Sequence, residues 1–166
     1  MKVPGKRNGD PGQRYKIQTR AGNNTGELSM YKEFLFHLPN DIGKLMQLAA
    51  EIRQLKEYED LSPKTQYVLD LALEEMATNI IKYGYDEPGT RTIEISVGFN
   101  QKDLRLVLSD DGHEFNPLEA QAPAEAGIEE RDIGGMGIYL TRNLVRSMEY
   151  ERKENRNVLS ICIDKE

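Results

Sequence analysis

A chain of 166 residues and 18.9 kDa has the length of a single domain and can bury a core without disulfides or a structural metal. A lone cysteine, Cys162, and no run of eighteen apolar residues exclude a disulfide scaffold and a transmembrane helix. The formal charge is −6, and the polar N-terminus lacks the apolar stretch of a signal peptide, so the expected setting is the cytoplasm.

The charge is unevenly spread. Residues 1–28 set Lys2, Lys6, Arg7, Arg14, Lys16 and Arg20 against Asp10 and Glu27, a balance of +4 that leaves −10 on residues 29–166. An acidic body argues against nucleic-acid binding, which draws on phosphate neutralisation by Lys and Arg. Rich in Gly, Pro and Asn and poor in apolar residues, the first 28 residues are expected to form a disordered basic tail before one domain, 29–166.

In chain order, residues 30–38 suit a first strand that stops before Pro39. Asn40 or Asp41 can cap a helix to about Tyr58, with Ile42, Leu45, Met46, Ala49, Ile52 and Leu55 as its apolar stripe. Ser62-Pro63 opens a second helix that Gly84 would close after Tyr83. Strict alternation puts Ile93, Ile95, Val97 and Phe99 on one face of a strand. Leu104, Leu106 and Leu108 repeat the pattern, joined to it by a hairpin through 100–103. Residues 113–133 follow as a long irregular segment, a length usually tied to function or mobility. A third helix starts near Gly135–Gly137 and ends near Ser147, and strands at about 148–153 and 157–163 close the chain. The order β-α-α-β-β-loop-α-β-β predicts an α+β, two-layer sandwich with helices on one face of a mixed sheet.

Three features carry potential chemistry. Glu75 and Asn79 stand four apart on the second helix and share a face with Leu71, Thr78 and Lys82. Asp110-Asp111-Gly112 sits where a strand ends, an acceptor beside a residue without a side chain. Gly134-Gly135-Met136-Gly137 precedes a helix, whose free N–H groups and dipole favour an anion. Taken singly they fit a solvated helix face, an Asp-Gly turn and a flexible joint. Other chemistries lack their residues: Gly5-Lys6 and Gly43-Lys44 miss the P-loop spacing, and only His37 and His113 are present for zinc or a triad. Cys162 falls in an alternating strand, as core filler.

In this order, however, the three motifs resemble those of the ATPase domains shared by DNA gyrase, heat-shock chaperones, histidine kinases and mismatch-repair ATPases. Within that superfamily the chain is most similar to the bacterial anti-sigma-factor serine/threonine kinases. Leu73 to Tyr85 looks like their N-box, Asp110 to Pro117 their G1 box and Gly134 to Ile138 their G2 box, with similarity over about residues 30–163.

The resemblance implies a histidine-kinase-like ATPase fold that binds ATP or ADP with Mg²⁺. It implies that Asn79 holds the metal, Glu75 is the general base, Asp110 accepts from the adenine amino group and Gly112 lets the base lie close. It further assigns Gly134, Gly135, Met136, Gly137 and Ile138 to the phosphate cradle, 113–133 to a lid and Ser160 to the back of the adenine site. Lys82 and Tyr83, a turn beyond Asn79, would reach the phosphates. The lid arginine usually sits two or three residues before the second glycine; Ile133 and Asp132 stand there, and Arg131 is four before Gly135.

The implied activity is phosphorylation of a STAS-domain anti-anti-sigma factor by a protein that otherwise holds a sigma factor, with no membrane or direct nucleic-acid partner. Assembly as a homodimer through the first strand and helix is also implied. Two alternatives stay open: a non-catalytic nucleotide- or partner-binding module, and a detached histidine-kinase catalytic domain.

Overall fold

The computed structural model describes residues 31–120 and 135–166. The predicted tail, most of the predicted lid, Arg131 and Gly134 lie outside the described residues. Five strands are present: β1 (Lys32–Pro39), β2 (Thr92–Phe99), β3 (Asp103–Asp110), β4 (Ser147–Lys153) and β5 (Arg156–Asp164). The helices are α1 (Ile42–Arg53), the short α2 (Lys56–Glu59), α3 (Pro63–Tyr83) and α4 (Gly135–Leu144), with a 3-10 turn at Pro117–Glu119.

The sheet order is β1-β2-β3-β5-β4, and every neighbouring pair is antiparallel. The sheet is therefore antiparallel throughout, not mixed as the element order suggested. The reason lies in the last hairpin. The crossover through α4 brings β4 back in the direction of β3, the arrangement that would make a parallel pair. β5 then folds back and inserts between the two strands, pairing Asp110 with Asn157 and Ser147 with Cys162. The hairpin turns through Glu154 and Asn155, both at positive φ (50° and 59°), a two-residue connection matched to strand twist.

Alternation fixes which face is buried. Phe34, Phe36 and Leu38, Ile93 to Phe99, Leu104 to Leu108, and Leu159, Ile161 and Ile163 form one apolar surface. Helices α1 and α3 cover it with Leu45, Leu48, Ile52, Leu69, Leu73 and Met76. The Asp41 carboxylate caps α1 by accepting from the Lys44 amide at 2.9 Å, and the Ser62 hydroxyl caps α3 ahead of Pro63. The first helix is shorter than its stripe predicts. Leu55 adopts an extended backbone (ψ 135°) between α1 and α2. This break turns Leu55, Tyr58 and Leu61 into the core, and the Tyr58 hydroxyl donates to Asp70 at 2.9 Å.

Candidate functional site

Three chain segments meet at the end of the sheet where α3 and β3 finish. The first meeting is backbone on backbone. The His113 amide donates to the Gly84 carbonyl at 2.9 Å, and a Cβ on Gly112 would stand 2.4 Å from that same oxygen. Gly112 thus lets the loop after β3 lie against the last turn of α3, which fixes Asp110 relative to Asn79. The resemblance assigned this glycine to ligand approach; the structure gives it a prior duty within the chain.

Asp110 is buried, with 3% of its surface exposed. Its Oδ1 accepts from the Gly112 amide at 2.8 Å and from Asn157 Nδ2 at 3.0 Å. Among the described residues no donor reaches its Oδ2. Beside it Tyr85 carries a buried hydroxyl with no hydrogen-bond partner among the described residues. Burial, then the carboxylates of Asp110 and Asp111, push that phenol well above its ordinary pKa.

The second meeting joins α3 to the start of α4. A Cβ on Gly137 would fall 1.8 Å from Glu75 Oε2 and 2.1 Å from its Cδ. The whole Glu75 carboxylate therefore lies on the bare backbone of α4's first turn. One turn on, Asn79 Nδ2 donates to the Glu75 carbonyl at 2.9 Å, which leaves its Oδ1 as an acceptor with no partner among the described residues. At Gly135 a Cβ would meet nothing within 4 Å. The first amides of a helix lack intrahelical acceptors, so α4 offers donors to an anion at this end.

The remaining predicted residues are placed less uniformly. Lys82 and Tyr83 are exposed on the last turn of α3, and Met136 is exposed on the first turn of α4. Ile138 turns its side chain into the core at 3% exposure, so only its backbone can serve a ligand. Ser160 is a correction. Leu159, Ile161 and Ile163 face the helices, so Ser160 has the opposite parity and lies on the outer face of the sheet. Arg105 donates to its hydroxyl from there at 3.4 Å. The residue of β5 that stands against Asp110 is Asn157.

A family model described as "Histidine kinase-like ATPase domain" matches residues 38–163. The chain belongs to this ATPase family. Its relatives include the Serine/threonine-protein kinase BtrW of Bordetella bronchiseptica, 23% identical over 101 residues, which spans 60% of this chain and 71% of the relative. Among solved structures it resembles the RsbU and RsbW domains of Rv1364c from Mycobacterium tuberculosis. That likeness has a TM-score of 0.57 at 12% identity and covers 79% of this chain but 32% of the solved one, so it concerns the fold.

The donor set of this ATPase domain fits a nucleotide. Among the described residues Asp110 has one carboxylate oxygen committed internally and the other without a partner, the Asn79 amide oxygen has none, and nothing crowds Gly135 at the start of α4. Among the described residues no cluster of three or more His, Cys, Asp or Glu could hold a metal unaided. The Asn79 amide oxygen is the described group that would hold Mg²⁺, an ion commonly bound through only one or two protein ligands. Among the described residues no helix is long and apolar enough to cross a membrane. A separate open groove of about 360 Å³, lined by Leu118, Ala120, Tyr139, Arg142 and Asn143, contains none of the motif residues.

Sequence reasoning missed Asn157. Its signal was present: the alternation that puts Leu159, Ile161 and Ile163 inward also puts Asn157 inward, at the end of β5 beside Asp110.

Proposed function

We propose that the chain is an ATP-dependent serine/threonine kinase that phosphorylates a STAS-domain antagonist and otherwise holds a sigma factor, as a cytoplasmic partner switch. The observation that supports it most is the placement of the Glu75 carboxylate on α4's glycine-bearing first turn, one helical turn from the Asn79 amide oxygen, which has no described partner. A base, a metal-ligand oxygen and free helix amides are the parts that phosphoryl transfer needs from a protein, since its catalysis is mostly positioning and charge stabilisation.

In this reading the adenine amino group donates to Asp110 Oδ2, and the amides from Gly134 to Ile138 receive phosphate oxygens. Mg²⁺, when bound through Asn79, neutralises charge on the transferring phosphate. The substrate seryl or threonyl oxygen bonds to the γ-phosphorus as its proton passes to Glu75, and the bond to the β-phosphate oxygen breaks to release ADP. Lys82 stands exposed one turn from Asn79, within reach of phosphates. Arg131, outside the described residues, is proposed to meet the γ-phosphate. A homodimer through β1 and α1 completes the reading.

Labelled phosphate transfer to a coexpressed STAS-domain protein tests it. Glu75→Gln should lower transfer by about a hundred- to ten-thousandfold while leaving nucleotide affinity in place. The non-catalytic reading is favoured by the position of Arg131, four residues before Gly135. It predicts nucleotide binding without transfer to any STAS partner.

A further inference from the structure

Asn157 is buried at 7% exposure and makes five side-chain contacts. Its Oδ1 accepts from the Tyr150 hydroxyl at 2.8 Å, Arg152 Nη1 at 2.9 Å and the Phe115 amide at 3.4 Å. Its Nδ2 donates to Asp110 Oδ1 at 3.0 Å and to the His113 carbonyl at 2.6 Å. Three donors on one side and two acceptors on the other permit a single amide orientation, because a flip would oppose donor to donor. Arg152 Nη1 also donates to the Gly112 carbonyl at 2.9 Å, so the same cluster holds the loop that follows Asp110.

The consequence falls on Asp110. With the Gly112 amide and Asn157 both on Oδ1, the carboxylate cannot rotate without breaking two buried hydrogen bonds. Its second oxygen is held as a pure acceptor. Such an oxygen accepts from the 6-amino group of adenine and repels the 6-oxo group of hypoxanthine or guanine. We propose that Asn157 is a positioning residue that sets the purine preference of the site by fixing the Asp110 carboxylate. This rests on the nucleotide reading of Asp110 above.

Asn157→Asp isolates the effect. It keeps an acceptor for Tyr150, Arg152 and Phe115 but sets a carboxylate oxygen where Asp110 Oδ1 and the His113 carbonyl require a donor. Dissociation constants for ADP and IDP, with a thermal melt of each protein, give the readout. The wild-type chain should prefer ADP, and Asn157→Asp should cut that ADP-to-IDP ratio about ten- to a hundredfold, chiefly through ADP. Tyr150→Phe, which removes one contact on the far side of the amide, should leave the ratio unchanged while lowering the melting temperature.

A folded Asn157→Asp that retains the wild-type ratio overturns the proposal, as does a Tyr150→Phe that loses the ratio equally. If Asn157→Asp does not fold, Asn157→Ala is read by the same criterion. Failure of the wild-type chain to bind either nucleotide overturns the nucleotide reading itself, and the proposal with it.

Discussion

In the proposed nucleotide reading, the two ends of the site are built differently. At the base end Asp110, Gly112 and Asn157 are buried and tied to Tyr150, Arg152, His113 and Gly84 before any ligand arrives. At the phosphate end Asn79 Oδ1 and the open backbone at Gly135 have no described partner, and the Glu75 carboxylate lies against the bare backbone of α4. Recognition of a flat base gains from a preorganised acceptor, because the ordering cost is met on folding. Transfer of a phosphoryl group needs groups that close on the metal and substrate as they bind. The contrast teaches that mutations at the two ends should fail in different currencies: stability and base preference at one, turnover at the other.

Gly137→Ala breaks the phosphate end most directly after Glu75 itself. A methyl there meets not only the carboxylate oxygen but Cδ and Cγ of Glu75, so the whole side chain must leave. Transfer should fall about a hundredfold, the scale of a 1 Å misplacement of a catalytic group, with ADP affinity little changed. Single-turnover transfer and ADP titration check it. An equal loss of ADP affinity would show that the substitution acts by disturbing the phosphate cradle and not by displacing Glu75.

Gly112→Ala is the matching break at the base end. Its methyl would meet the Gly84 carbonyl at 2.4 Å, backbone that cannot swing aside. Such overpacking costs about 1–3 kcal/mol, which lowers the melting temperature by several degrees at this size. A melt without ligand should already show the loss. By contrast, Gly137→Ala should melt close to the wild type, since the group it displaces is a half-buried side chain.

How much of this the sequence disclosed follows from what each pattern can encode. Period-two alternation placed Ile93 to Phe99 and Leu104 to Leu108 on the buried face, and Ser62-Pro63 placed the start of α3. Alternation says nothing of which strand inserts beside which, so the antiparallel insertion of β5 between β3 and β4 was not legible. Nor was the break at Leu55, because a stripe continues to look helical where tertiary burial bends the chain. The Glu75, Asn79, Asp110 and Gly137 spacings were legible as motifs. The family resemblance points to Ser160 against the parity of its own strand, and that parity points to Asn157.

The smallest expected effect lies far from both ends and calibrates the stability measurements. Burial alone would push the Glu57 carboxyl up, but the hydrogen bond from Lys32, a backbone hydrogen bond and the charges of Lys32 and Lys56 together outweigh it and hold Glu57 below its ordinary value of 4.5. A carboxyl depressed in the folded state adds stability above that value and loses it as pH falls through the folded pKa. Both side chains are partly exposed, so the contribution is a few tenths of a kcal/mol at about neutral pH. Glu57→Gln should remove that increment at pH 7 and leave stability unchanged well below pH 4, as read from urea unfolding at the two pH values.

In the proposed reading, the Asp110 end of the site recognises a nucleotide base while Asn79 at the other end would hold Mg²⁺ against the phosphates. A thermal melt with ADP, with and without Mg²⁺, on the wild-type chain and on Asn79→Ala tests it most directly. Ligand at a hundred times its dissociation constant stabilises by about 2.7 kcal/mol, a shift of several degrees. The account predicts a rise that Mg²⁺ enlarges in the wild type, with the Mg²⁺-dependent part missing in Asn79→Ala. No shift at millimolar ADP with Mg²⁺, or an equal Mg²⁺-dependent rise in Asn79→Ala, would contradict it.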